Sequence, residues 1–138
     1  MSPLAIRRLT PDDADAAFIL ARLDDPSLTS DDWRAVVEGA PEAGGVLGAF
    51  TGDHARGILR YSLVATPKDG PLFNIEALTA FDLFDPAPIA RALVQAALTC
   101  ARQDYGCVRI GLSTGFEAAG CDAVLRSIID AATLHRVF

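Results

Sequence analysis

The sequence predicts an α/β (α+β) fold: a mixed, mainly antiparallel sheet with helices on both faces and a central parallel pair of strands. Three observations carry that expectation. Two helix-period segments give way to three strand-period segments joined by turn-forming residues, which implies antiparallel hairpins. The apolar helix Ile89–Leu98 stands between the apolar runs Leu72–Phe84 and Val108–Leu112, and a helical crossover makes such strands parallel neighbours. A length of 138 residues with 51% hydrophobic content suits one compact domain, residues 1–138, with a core that needs no disulfide or metal.

Element by element, Leu4–Leu9 reads as a short apolar strand. Thr10-Pro11-Asp12-Asp13 reads as a helix start, with a Thr N-cap, Pro at the first position and carboxylates at the positive end of the helix dipole. Ala14, Ala17, Phe18 and Ala21 supply its apolar stripe. Thr29-Ser30-Asp31-Asp32 repeats the signal, Trp33, Val36 and Val37 form the second stripe, and Gly39 stops that helix. The period then changes. Gly45–Phe50 and Ala55–Ala65 are strands around the turn Thr51-Gly52-Asp53-His54, and Pro67-Lys68-Asp69-Gly70-Pro71 is a second turn. Leu72–Phe84 is a long strand with Phe73, Ile75, Ala77, Thr79, Phe81 and Leu83 on one face. Strands usually run about 5–6 residues, so this one should bend or carry a bulge. Asp85-Pro86 opens a helix with the stripe Ile89, Leu93, Ala96, Ala97 and Cys100, closed by Gly106. Val108–Leu112 is a buried strand, Asp122–Ala131 a short helix and Leu134–Phe138 a last strand.

Charge and cysteine usage narrow the function classes. The net charge is −6, and no basic cluster is longer than Arg7-Arg8, so the basic face a nucleic-acid partner requires is missing. An acidic excess favours solubility and would suit an amine substrate. Cys100, Cys107 and Cys121 are odd in number and widely spaced, which fits buried free thiols in a reducing compartment better than a disulfide framework or a metal site. The longest uncharged runs, Ala43–Gly52 and Ala92–Ala101, are about half the ~20 residues of a spanning helix. With no apolar signal core in Met1–Arg8, the expected setting is cytoplasmic, away from membranes.

In this element order, and in Ile89-Ala90-Arg91-Ala92-Leu93-Val94-Gln95-Ala96-Ala97-Leu98 followed by Ala101-Arg102 and Gly106-Cys107-Val108-Arg109-Ile110, the chain resembles the GNAT superfamily of acyl-CoA-dependent N-acyltransferases. These residues are similar to the helix after that family's pyrophosphate loop and the strand that follows. The resemblance implies acetyl-CoA or another acyl-CoA as cofactor. Strand backbone around Leu78 and Ala80 would pair with the pantetheine arm, and Ala87, Ile89, Ala90 and Arg91 would meet the pyrophosphate at the helix N-terminus. It also implies an amine acceptor, small molecule or protein, and a catalytic base on the long strand, where Glu76 stands.

Departures from the family pattern bear on the cofactor. The signature at this helix start is Arg or Gln, two residues, Gly, one residue, then Gly or Ala. Here the stretch is Asp85-Pro86-Ala87-Pro88-Ile89-Ala90, so Ala90 fits while Asp85 and Pro88 do not. Pro86 and Pro88 have no N–H to offer a phosphate, and Asp85 is a natural N-cap whose charge would oppose one. A capped helix with Pro at its first position accounts for Asp85-Pro86 without any ligand. Weak or absent acyl-CoA binding is therefore expected.

The family's acid Tyr on the penultimate helix falls at Arg126, if Leu125 aligns with the preceding Leu, and its frequent Asn falls at Ala119. Tyr61 and Tyr105, the chain's two tyrosines, fit neither place, and His54 and His135 stand without triad or metal spacing. Glu76 also has a plain reading as a solvated or ion-paired strand residue. Three functions follow: an N-acyltransferase, a non-catalytic binding or regulatory module of the same fold, or an unrelated α/β domain. The apolar final strand Leu134–Phe138 suggests an edge that a second copy or a partner covers, hence a homodimer or a partner-bound chain.

Overall fold

The computed structural model describes residues 4–39, 42–65, 70–81, 87–107, 109–112 and 135–137. Strand β1 (Leu4–Arg8) leads through a 3₁₀ turn (Pro11–Asp13) into helices α1 (Ala14–Asp24) and α2 (Ser30–Glu38). Strands β2 (Gly44–Thr51), β3 (His54–Val64) and β4 (Leu72–Ala80) follow, then helix α3 (Ala87–Gln103) and strands β5 (Arg109–Leu112) and β6 (His135–Val137). The six strands form one sheet in chain order. β1 to β4 pair antiparallel, while β4–β5 and β5–β6 pair parallel. The mixed sheet and the parallel neighbours expected around the crossover helix are both present.

Helices cover the two faces as the alternating pattern requires. On one face α3 lays Ile89, Leu93, Ala97 and Ala101 onto Leu47, Leu59, Phe73 and Ile110. On the other, α1 and α2 pack Ala14, Ala17, Leu20, Trp33 and Val37 against Val46, Phe50 and Ile58. α3 approaches β3 closely because residue 57 is glycine: a Cβ there would lie 2.9 Å from Ile89 Cγ2 and from Leu93 Cδ1.

Local signals explain most boundaries. Thr29 Oγ1 accepts a hydrogen bond from the Asp32 N–H at 3.1 Å, the N-cap read from sequence. Asp13 accepts from the Thr10 N–H at 2.9 Å, but the segment it starts is a 3₁₀ turn before α1 rather than the helix itself. Gly106, at φ 63°, ends the α3 region with a Cys107 N–H to Ala101 O bond of 2.8 Å. Trp33 Nε1–H donates to Ala14 O at 2.7 Å and joins the two early helices. Among the described residues, no helix is long and apolar enough to cross a membrane.

Three expectations need correction. The strand expected over Leu72–Phe84 ends at Ala80, although the Phe81 N–H still bonds Arg56 O at 2.8 Å. Its predicted single face fails beyond Ile75: Phe73 and Ile75 point to α3, and Leu78, rather than Ala77, continues that buried row. A bulge shifts the alternation by one residue. The β1 strand stops at Arg8, and Leu9 instead joins the α1–α2 core. The expected helix Asp122–Ala131 lies outside the described residues.

Candidate functional site

The bulge places Glu76. Arg60 pairs with Ala77 and Tyr61 with Ile75, so Glu76 is the extra residue of β4, opposite no residue of β3. Such a residue leaves the regular row and is re-aimed. Its carboxylate Oε2 lies 3.4 Å from Arg60 Nε, with the Glu76 side chain 33% and the Arg60 side chain 44% exposed. The pair keeps Glu76 oriented while leaving it open to solvent.

Beside it lies a cavity of about 210 Å³. Ala35, Val36 and Gly39 at the end of α2 form one wall, Gly44 and Gly45 the second, and Arg60, Ser62 and Glu76 the third. The cavity is small, glycine-rich and furnished with one carboxylate and one guanidinium. Nothing in the periodicity marks Arg60 or the α2 wall as part of a site, because they are distant from Glu76 in sequence and only the folded sheet brings them to it.

The edge of β4 supplies a second element. Described pairing with β5 ends at Ile75–Leu112, so from Glu76 to Ala80 no described strand pairs on that side. The Phe81 N–H points to β3, at Arg56 O. By two-residue alternation Thr79 also faces β3, and the backbone groups of Leu78 and Ala80 face the opposite side, where no described strand pairs. A ligand with its own amides can extend the ladder there.

At the far end of this edge α3 begins. Its first turn carries N–H groups at Ile89 and Ala90, and none at Pro88. The Ile89 and Ala90 side chains are buried in the α3 core, so only their backbone can meet a ligand; Arg91 is exposed. Of the sequence-derived residues, Glu76, Leu78 and Ala80 lie on β4, and Ala87, Ile89, Ala90 and Arg91 at the start of α3. Asp85 and Pro86 lie outside the described residues, as do Ala119, Cys121, Leu125 and Arg126. Cys100 and Cys107 are free thiols, and among the described residues no three His, Cys, Asp or Glu side chains gather for a metal ion.

In sequence the chain matches no protein-family model and no curated protein. In structure it is similar to the aminoglycoside N-acetyltransferase AAC(6')-Iy in complex with CoA, at TM-score 0.78 and 17% identity, covering 100% of this chain and 94% of that one. It is also similar to a ribosomal-protein-alanine N-acetyltransferase from Brucella melitensis biovar Abortus 2308, at TM-score 0.77 and 15% identity, covering 99% and 98% of the two chains. A third similar structure is the aminoglycoside 6'-N-acetyltransferase AAC(6')-Ih from Acinetobacter baumannii, at TM-score 0.74 and 18% identity, over 99% and 96%. The chain has the GNAT fold of these N-acetyltransferases.

Proposed function

We propose that this chain is an N-acyltransferase that moves an acyl group from acyl-CoA to a small primary amine. The observation that carries the reading is the position of Glu76. It lines a small cavity on one side and stands, on the other, where the edge of β4 loses its described partner strand. A group at that junction reaches both an amine in the cavity and an acyl donor on the strand edge. The acetyltransferase relatives in structure, one holding CoA, support the same reading.

The residues present fit an acyl-CoA in part. The backbone of Leu78 and Ala80, turned away from β3, suits the amides of a pantetheine arm, and the Ile89 and Ala90 N–H groups suit a pyrophosphate. Pro88 withholds one donor from that first turn, so we infer modest affinity. Bound acyl-CoA supplies a thioester carbonyl open to attack by an amine. Glu76 takes the proton the amine sheds, directly or through a water, and Arg60 positions its carboxylate. The cavity's volume favours a small acceptor, and the net charge of −6 attracts a cationic one.

The test is acyl transfer itself. Purified protein is given acetyl-CoA and a panel of small primary amines, and free CoA thiol and acetylated amine are both measured. Product from at least one amine is the expected result. Acetyl-CoA binding without product from any amine would overturn the reading in favour of a non-catalytic module, the alternative that Pro88 favours.

A further inference from the structure

A second cavity, of about 440 Å³, opens on the α3 face of the sheet at the C-terminal end of α3. Its floor is Ile6, Leu47 and Ala96, and its polar wall joins Arg8, Tyr61, Cys100, Asp104 and Tyr105. α3 has 17 residues and is therefore about 25 Å long, which separates this cavity from the first turn of the same helix. The acyl-transfer reading gives none of its polar side chains a role, although Tyr61 also borders the smaller cavity.

Its chemistry centres on a half-buried cation. Arg8 Nη1 donates to Tyr61 Oη at 3.1 Å and to Tyr105 Oη at 3.3 Å, and Nη2 donates to Gly44 O at 2.9 Å. The two hydroxyls lie 3.1 Å apart. All three acceptors are neutral, and among the described residues no carboxylate lies within ion-pair distance of Arg8. Five N–H donors and three such bonds leave donors of the guanidinium unused. Asp104, the acidic residue on the same wall, sits instead against Cys100: burial, and then Asp104, push that thiol up to about 11. Burial, followed by the bond to Tyr105, also raises Tyr61, so its hydroxyl stays neutral and does not supply the missing negative charge. Residue 45 is glycine at this point, and a Cβ there would lie 2.8 Å from Arg8 Cζ and 2.9 Å from Tyr61 Oη. Tyr61 stacks on Phe73 with ring centroids 4.5 Å apart, which fixes the ring.

We propose that this cavity is a second ligand site, taking a small carboxylate with an apolar body: Arg8 is its counter-charge and donates its unused N–H groups to it, beside the Tyr61 and Tyr105 hydroxyls. A planar guanidinium matches a carboxylate with two parallel bonds, and Ile6, Leu47 and Ala96 receive the apolar part.

The chain's two tyrosines are both in this cavity. Protein labelled with carbon-13 in its tyrosine rings therefore reports on the site through two NMR signals. Titration with benzoate should move both saturably, while benzamide, its neutral counterpart, and inorganic phosphate should leave them in place. Arg8→Gln should weaken benzoate binding at least tenfold. The benzoate and benzamide comparison is made on the natural protein, so it decides the matter even if the variant does not fold. Unmoved signals, an equal response to benzamide or phosphate, or undiminished binding by folded Arg8→Gln would each overturn the proposal.

Discussion

Glu76 and Arg60 meet across a fault in the sheet, Oε2 to Nε at 3.4 Å, although their backbones are out of register. In an unbroken ladder Arg60 would face Glu76 directly and Tyr61 would face Ile75 one step along. As the extra residue of β4, Glu76 leaves that row, next to the last described pair with β5. One backbone irregularity thus takes the carboxylate out of the regular row.

Replacing Glu76 by Gln should lower kcat for amine acylation by about 10²–10⁴-fold and leave the KM for acetyl-CoA nearly unchanged. On the proposed reading the carboxylate serves the amine in the small cavity, whereas the backbone of Leu78 and Ala80 holds the acyl donor. Folding should survive, because an exposed ion pair is worth about 0–1 kcal/mol. Steady-state kinetics on the folded variant decide it, and native kcat would rule out Glu76 as the base.

Gly57→Ala should destabilise the protein by about 1–3 kcal/mol. The added Cβ meets Ile89 Cγ2 and Leu93 Cδ1 at 2.9 Å and the Thr79 carbonyl at 3.0 Å, and the last is backbone that cannot swing aside. The change should appear as a lower urea midpoint with an unchanged slope.

Acid stability should depend on Asp13. The bond from Arg7, Nη2 to Oδ1 at 2.9 Å, leads the interactions that hold its carboxyl below the ordinary 3.8, at about 2, with Thr10 assisting. A group depressed in the folded state stabilises fully above its unfolded value and loses that contribution as pH falls through the folded one. Urea midpoints measured between pH 3.8 and 2 should therefore fall less steeply for Asp13→Asn than for the natural protein. Parallel curves would show that the Arg7–Asp13 pair carries no such linkage.

How far the sequence could be read follows from the range of each interaction. The Thr29 cap, the Gly106 terminus and the crossover helix act within a few residues, and local sequence patterns mark them. The length of Leu72–Phe84 announced a bulge, but the bulge's position depends on partner strands, so the face assigned to Ala77 and Thr79 was the wrong one. Arg8, Tyr61 and Tyr105 come from β1, β3 and the turn after α3, and only the folded sheet brings them together. One signal was available: Tyr61 interrupts the apolar alternation of Leu59 and Leu63 on a strand facing the core, where a hydroxyl needs a partner.

Pro88→Ala should tighten acetyl-CoA binding. Position 88 lies in the first turn of α3, where N–H groups have no partner within the helix and point outward along its axis. Proline removes one of them, while alanine restores it without weakening the helix. A hydrogen bond to a charged group is worth about 1.5–3 kcal/mol, so one recovered donor to pyrophosphate corresponds to roughly tenfold or more in affinity. The gain should vanish for acetyl-pantetheine, which shares the arm and thioester but has no pyrophosphate. Calorimetry with both ligands separates the two contributions. Equal gains would place the effect on the β4 edge, and no gain with acetyl-CoA would mean that the pyrophosphate does not rest on the first turn of α3.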